Sequence, residues 1–304
     1  MPAITKIIKN RIKSVSNIKK ITRAMEMVAA SKMKKATERA VSSREFTILS
    51  LEMLVNILRE REVDHYLMSK RKKGKKVVVV ITSNKGLCSS YNVNVFKKLK
   101  SYIDENKDSE IELVTIGKYA ERYARKLEKN IIASFIDFSD NVNMREMNGL
   151  FKIVFDEFSK KDCQSVDLIF TNYISAMSNQ TLVHNLLPVH PENIMNFLSL
   201  VGPAKTSGET GEINNKSLAK YIFEPNETQV VARVLPILIE TQIYQSLVES
   251  QASEHSVRMM AMRNASESAD EMVDELALSL NQARQAAITQ EISEIAGGAL
   301  ALNG

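Results

Sequence analysis

The chain has 304 residues and a mass of 34.2 kDa, length enough for one large domain or two ordinary ones. Hydrophobic residues make up 44%, which supports a packed core and excludes wholesale disorder. The net charge of +5 is too mild to argue for nucleic acid by itself. The two cysteines, Cys88 and Cys163, form no CxxC or His–Cys cluster, which disfavours a disulfide scaffold and a structural zinc site. The apolar run 77–81 falls far short of the ~20 residues that cross a bilayer. No apolar signal segment follows the basic N-terminus. The expectation is a chain that works inside the cell, or on the inner face of a membrane it does not cross.

Helix breakers are unevenly placed. Five of the six prolines, seven of the ten glycines and fifteen of the eighteen aromatics lie in 74–236. Two breaker-free arms therefore flank a compact middle, dividing the chain into 1–73, 74–224 and 225–304.

The first arm reads as one long helix, of ~55 residues and ~80 Å, with a break near His65 before the basic run 70–76. Ile8, Val15, Thr22, Ala29 and Ala36 stand seven apart. Ile18, Met25 and Lys32 form a second row three residues on, with Ile21 and Val28 beside it, and together they predict a heptad seam. In the middle, strands are predicted at 77–82, 111–116, 131–135, 166–173 and 181–187, and helices at 92–105, 118–129 and 144–160. That order argues for a Rossmann-like α/β domain with a mainly parallel sheet and an antiparallel hairpin at one edge. The polar segment 202–217 reads as a surface loop.

The last arm starts near 225–228, and Pro236 predicts a kink or restart. Met262, Ala269, Leu276 and Ala283 form one row, and Ala265, Met272, Ser279 and Ala286 a second three residues behind. After Ala286 the seam shifts to Ile288, Ile295 and Leu302, so the final turns face something else. Residues 1–40 carry eleven basic and two acidic side chains, and 250–304 three basic and eight acidic. Opposite charge and matching seams predict an antiparallel coiled coil between the arms.

Catalytic chemistry finds little support. The loop 83–90 matches neither GxGxxG nor GxxxxGK[ST], and His65, His184, His190 and His255 have no ligand spacing. The sharpest feature is 295–302, a helix end without one charge, which would be an apolar liability in water and suits insertion into another protein.

Three motif blocks carry a resemblance. They are Arg11-Ile12-Lys13-Ser14-Val15 with Ile21-Thr22-Arg23-Ala24-Met25-Glu26-Met27-Val28-Ala29; the loop 83–92, similar to SDRGLCGGYN with Asn84, Lys85, Ser89 and Ser90 substituted; and Ile288-Thr289-Gln290-Glu291-Ile292-Ser293-Glu294 followed by Gly298-Ala299-Leu300-Ala301. With Ser253-Glu254-His255, Arg258-Met259-Met260-Ala261-Met262 and Ala283-Arg284-Gln285 between them, the whole chain resembles the γ subunit of F-type ATP synthases. The resemblance implies a non-catalytic rotor shaft with no cofactor. Its coiled coil would turn inside a ring of three α and three β subunits, and its α/β foot, with the ε subunit, would ride on the membrane ring of c subunits. It implies a peripheral position on the cytoplasmic face of a bacterial inner membrane, touching the membrane only through that ring.

By motif position, Arg258 and Gln285 would contact a β-subunit loop, with Arg284, Thr289, Glu291 and Glu294 nearby. Met25 would pass an acidic β-subunit lever, to which Arg23, Lys32, Lys34 and Lys35 could be attracted. Tyr221, Phe223 and Glu224 would meet the c ring. The competing reading from charge alone, a coiled coil binding nucleic acid through its basic arm, predicts steeply salt-dependent binding. The uncharged tip argues against it. A small-molecule α/β enzyme lacks any supporting constellation.

Overall fold

A computed structural model describes residues 3–60, 65–136, 138–201, 224 and 226–302. The elements run α1 (Ala3–Glu60), β1 (Lys75–Ile81), α2 (Tyr91–Glu105), β2 (Ile111–Ile116), α3 (Lys118–Lys126), β3 (Asn130–Phe135), α4 (Asn148–Ser159), β4 (Cys163–Tyr173), β5 (Asn179–Leu187), α5 (Pro191–Val201) and α6 (Glu227–Leu302). Two compact units result, one of Met1–Ala29 with Arg258–Gly304 and one of Ala30–Val257.

In the larger unit the sheet order is β3-β2-β1-β4-β5, parallel except for the β4–β5 pair. This is the α/β middle and antiparallel edge that the sequence predicts. β1 and β4 are buried on both faces, which is why β1 reads as an unbroken Val-Val-Val-Val-Ile run rather than an alternation. Val78, Val80, Leu113 and Ile169 face Val95, Leu99 and Tyr102 of α2 and Ala120 and Ala124 of α3. Val77, Val79, Ile81, Val166, Leu168 and Phe170 lie in the larger cluster on the opposite face. There Leu51, Leu54 and Ile57 of α1 and Leu235, Ile239 and Ile243 of α6 join α4 and α5 over the sheet.

Helix α1 spans 58 residues to Glu60, and His65 caps a 3-10 turn, Tyr66–Met68, ahead of the basic run, in keeping with the expected break. Other expectations need correction. Residues 144–160 divide into a 3-10 turn, Met144–Met147, and α4. Helix α5 was not anticipated; it buries Ile194, Phe197 and Leu198. Of the kink or restart expected at Pro236, the restart does not occur: α6 is continuous from Glu227. An interior proline costs ~3 kcal/mol, but Val231, Leu235, Leu238 and Ile239 around it are all buried. Their packing outweighs the lost hydrogen bond. The segment 202–217 lies outside the described residues.

Polar contacts tie the helices of this unit to its sheet. Glu249 is fully buried; it accepts Arg44 Nε at 2.7 Å, Arg44 Nη2 at 2.9 Å, Gln245 Nε2 at 2.7 Å and the Tyr173 amide at 3.2 Å. The same Arg44 Nη2 donates to the Tyr173 carbonyl at 2.8 Å, so α1, α6 and β4 meet at one carboxylate. Nearby, Lys32 Nζ lies 2.6 Å from Asp140, Arg39 donates to the Asp140 carbonyl, and Gln251 Nε2 donates to the Ser139 carbonyl at 3.1 Å. Burial opposes ionisation of Asp140, yet Lys32, with His255 and Lys85 beside it, holds its carboxyl below the ordinary value.

Glu249→Gln should destabilise the chain by ~3 kcal/mol, because it leaves the Arg44 charge without its counter-ion. Arg44→Met with Glu249→Met should recover part of that loss, both read by urea unfolding. His184 is completely buried, 2.8 Å from Gln242 Oε1, and burial lowers its pKa to about 4 despite that hydrogen bond. Its contribution is complete above the unfolded value of ~6.5 and is lost as pH falls toward 4. His184→Gln should therefore flatten the pH dependence of stability between those values.

Candidate partner-binding surface

In the smaller unit, the first half of α1 and the last part of α6 pair antiparallel. Lys19 bonds Asp270, and Glu26 acts on Arg263 across the pair. From 26 to 19 on one helix and from 263 to 270 on the other is one heptad each, in opposite chain directions. Arg263 also holds Glu267 at 3.0 Å, and this bond first, with Glu26 adding to it, raises the guanidinium's pKa.

The seam uses the predicted first row on each helix. On α1, Ile8, Val15 and Thr22 are half-buried and Ala29 buried; on α6, Met262 and Ala269 are buried and Leu276 and Ala283 half-buried. The second rows differ from expectation. They lie four residues on, at Ile12, Lys19 and Glu26, and at Ser266, Val273, Leu280 and Ala287. Ile18 is 53% exposed, Ile21 60% and Val28 57%, so these three lie outside the seam. Met272 likewise faces outward.

The reason is that α1 carries two apolar stripes. At 100° per residue, Ile7, Ile18, Ile21, Met25 and Val28 form a strip roughly 100° around the helix from the seam. Sequence spacing registers both stripes and cannot say which one meets α6. The exposed cations Lys6, Lys13 and Lys20 lie along one side of this strip and Arg11 on the other. An ordinary solvated helix face carries no such row of exposed isoleucines.

On α6, residues 291–298 are all exposed. The register explains this: 263 opposite 26 places Ala3, where α1 starts, opposite about residue 286, so later turns of α6 have no α1 beside them. Ile288, Ile292 and Ile295 are 49%, 61% and 72% exposed.

The residues singled out from the sequence are spread over this surface. Arg258 is 9% exposed, and Met25 is half-buried at the edge of the outward stripe. Arg284, Gln285, Thr289, Glu291 and Glu294 are exposed on the terminal turns of α6, where Gln290 Nε2 donates to Glu294 at 3.0 Å. Helical spacing puts Arg284 and Glu291 on one face and Gln285 and Thr289 on another, so they ring the helix instead of forming one patch. Glu224 is exposed, and Tyr221 and Phe223 lie outside the described residues. The outward stripe is not among the sequence expectations, because Ile18 and Ile21 also satisfy seam spacing; Ile7, on the same strip but off the heptad rows, is the residue that marks it.

Among the described residues no group of three His, Cys, Asp or Glu is placed to hold a metal, and no helix is long and apolar enough to cross a membrane. The loop 83–90 is closed on itself: Asn92 Oδ1 accepts the Ser83 amide at 3.1 Å, and Asn92 Nδ2 donates to Ser83 Oγ at 2.7 Å and to Cys88 Sγ at 3.2 Å.

The two apolar surfaces should separate by mutation. Met262→Ala, at a seam position, should cost ~2 kcal/mol in chemical denaturation. Ile295→Ala, at an exposed one, should stay within ~0.5 kcal/mol.

A family model described as ATP synthase matches residues 5–302. The ATP synthase gamma chain of Pelotomaculum thermopropionicum is 34% identical over 303 residues, covering 99% of this chain and 100% of that one. That of Stenotrophomonas maltophilia is 35% identical over 304 residues, covering 97% and 98%. Among solved structures, a chain of the Tetrahymena thermophila mitochondrial ATP synthase central stalk and c-ring is similar at TM-score 0.58 and 25% identity, over 81% of this chain and 99% of that one. A chain of the Euglena gracilis mitochondrial ATP synthase shares the fold at TM-score 0.65 and 16% identity, over 98% and 94%. With a match along nearly its whole length and full-length relatives of this kind, the chain belongs to the ATP synthase gamma chain family.

Proposed function

We propose that the chain is the central-stalk rotor subunit of an F-type ATP synthase, coupling rotation of a membrane c ring to conformational change at catalytic sites on α and β subunits. The observation that carries this reading, beside family membership, is a paired shaft with a second, outward apolar stripe and an α6 end exposed on every side. Such surfaces fit a sheath of protein, and aliphatic contacts with few directional bonds let a shaft turn within it.

The mechanism is selection by differential contact. The shaft presents Ile18, Ile21, Val28 and their flanking cations on one side and the acidic α6 on another. Each catalytic subunit around it would meet a different face. A rotor angle then favours one conformer at each site by the difference in contact free energy, and by linkage a conformational change driven at the site turns the shaft. Arg258, Arg284, Gln285, Thr289, Glu291 and Glu294 would supply polar contacts to the β subunit, and Met25 would pass its lever. Residues 74–224, ending in Tyr221, Phe223 and Glu224, would form the foot on the c ring beside ε. The Arg44–Glu249 and Lys32–Asp140 contacts give torque a route from sheet to helices within the larger unit. In this reading the chain has no active site or cofactor of its own and sits peripherally on the cytoplasmic face of a bacterial inner membrane.

Reconstitution tests this. The purified chain mixed with α and β subunits should form a stable complex with rapid ATP hydrolysis, and the chain truncated after Arg284 should give a weaker or less torque-competent one. No association of the full chain with α and β, or ATP hydrolysis by the pure chain, would overturn the proposal.

A further inference from the structure

The basic run leading into β1 has no part in the shaft. Six of the seven residues 70–76 are Lys or Arg, the exception being Gly74. Lys75 is neutralised locally: its Nζ lies 2.7 Å from Glu112 and 3.0 Å from Glu157. The others are not used in this way. Lys70, Arg71, Lys72 and Lys76 line one cavity of ≈ 430 Å³. It lies where β1 and β4 begin and β5 ends, beside Tyr102, Gln164, Ser165, Asp167, Asn185 and Pro188.

The lining is built rather than accidental. Arg71 is anchored by Nη1 to the carbonyls of Lys160, at 2.5 Å, and Cys163, at 2.7 Å, with its guanidinium 4.6 Å over the Phe158 ring. It is held in place by neutral partners, so its charge is not cancelled. Lys76 Nζ donates to the neutral Asn106 Oδ1 at 2.5 Å. Lys70 and Lys72 are exposed at the rim. Against these four cations stands one carboxylate, Asp167, and it is already engaged. Its Oδ2 accepts Tyr102 OH at 2.7 Å and Ser165 Oγ at 2.7 Å, and its Oδ1 accepts Asn185 Nδ2 at 2.8 Å. Burial first, and then Asp167, push the Tyr102 phenol pKa up, which keeps it a donor to that carboxylate. The cavity thus has a cationic rim over a floor of neutral polar groups and one carboxylate, Asp167, whose two oxygens are held by Tyr102, Ser165 and Asn185.

We propose that this cavity is a binding site for a phosphate ester, whose charged groups meet Lys70, Lys72, Arg71 and Lys76 while its neutral part rests on the Gln164 and Asn185 side. Multiple cations around one concave site recognise a compact polyanion, and the volume exceeds what a single inorganic phosphate fills. The phosphate could come from a soluble di- or triphosphate or from an anionic phospholipid headgroup; the chemistry at the rim is the same.

The test uses the full chain with inorganic pyrophosphate by calorimetry, and with phosphatidylglycerol vesicles by co-sedimentation. Lys70→Gln with Lys72→Gln should weaken binding at least tenfold. A control of equal charge, Lys73→Gln with Lys98→Gln, removes two exposed lysines that do not line the cavity and should leave binding within twofold. Pyrophosphate binding with this pattern assigns a soluble phosphate ester, and vesicle binding alone with this pattern assigns a lipid headgroup. Binding to neither probe, or equal loss in the control, would overturn the site.

Discussion

The larger unit depends on one carboxylate. Glu249 is fully buried on α6 and is met by both nitrogens of the Arg44 fork, by Gln245 and by the Tyr173 amide. A buried ion pair is weak evidence for stability, since desolvation offsets much of the attraction. Its value here is positional. Apolar packing of Leu51, Leu54, Leu235 and Ile239 over the sheet tolerates sliding, because such contacts lack direction. A bidentate Arg–carboxylate pair that also engages backbone groups of β4 does not. It fixes where α1 and α6 sit along the sheet, and therefore how a turning force on the α/β domain reaches the helices.

The smaller unit solves a different problem. A helix that must pair along one face and present an apolar face elsewhere risks pairing through the wrong one. The seam of α1 is narrow and includes Lys19, Glu26 and Thr22, while the outward stripe holds the more apolar Ile18, Ile21 and Val28. Charge supports the choice: the observed register lets Lys19 bond Asp270 and sets Glu26 near enough to Arg263 to act on its charge. Each exposed pair is worth less than ~1 kcal/mol, so the register rests on these contacts together with the small seam residues Ala29, Ala269 and Ser266.

Much of this was legible in advance, and the errors have physical causes. The strands' places along the chain were readable because β1, β2 and β4 are buried apolar runs separated by helical spacing; their order across the sheet was not. The first heptad rows were readable because Ala29, Ala36, Met262 and Ala269 stand seven apart and are buried. The second rows were misplaced by one residue, because a helix with two stripes satisfies the three-residue and four-residue offsets together. Helix α5 was missed because it is short and directly follows the strand and its two nearby prolines, 188 and 191. Pro236 did not restart the helix because local propensity yields to burial on a sheet. In the loop 83–92, Ser89 stands where the resembled pattern has glycine and has a left-handed φ of 46°, a conformation that glycine adopts more readily, with Ser83–Asn92 bonds bracing the loop. Arg44 and Glu249 could not be paired from spacing, being 205 residues apart.

The most direct measurement is to watch the shaft turn. α and β subunits assembled on this chain would be fixed to a surface and a visible probe attached within residues 74–224. Added ATP should drive sustained rotation of the probe in one direction, stopping when ATP is removed. ATP hydrolysis at a normal rate with the probe stationary, or with motion in both directions equally, would contradict the account.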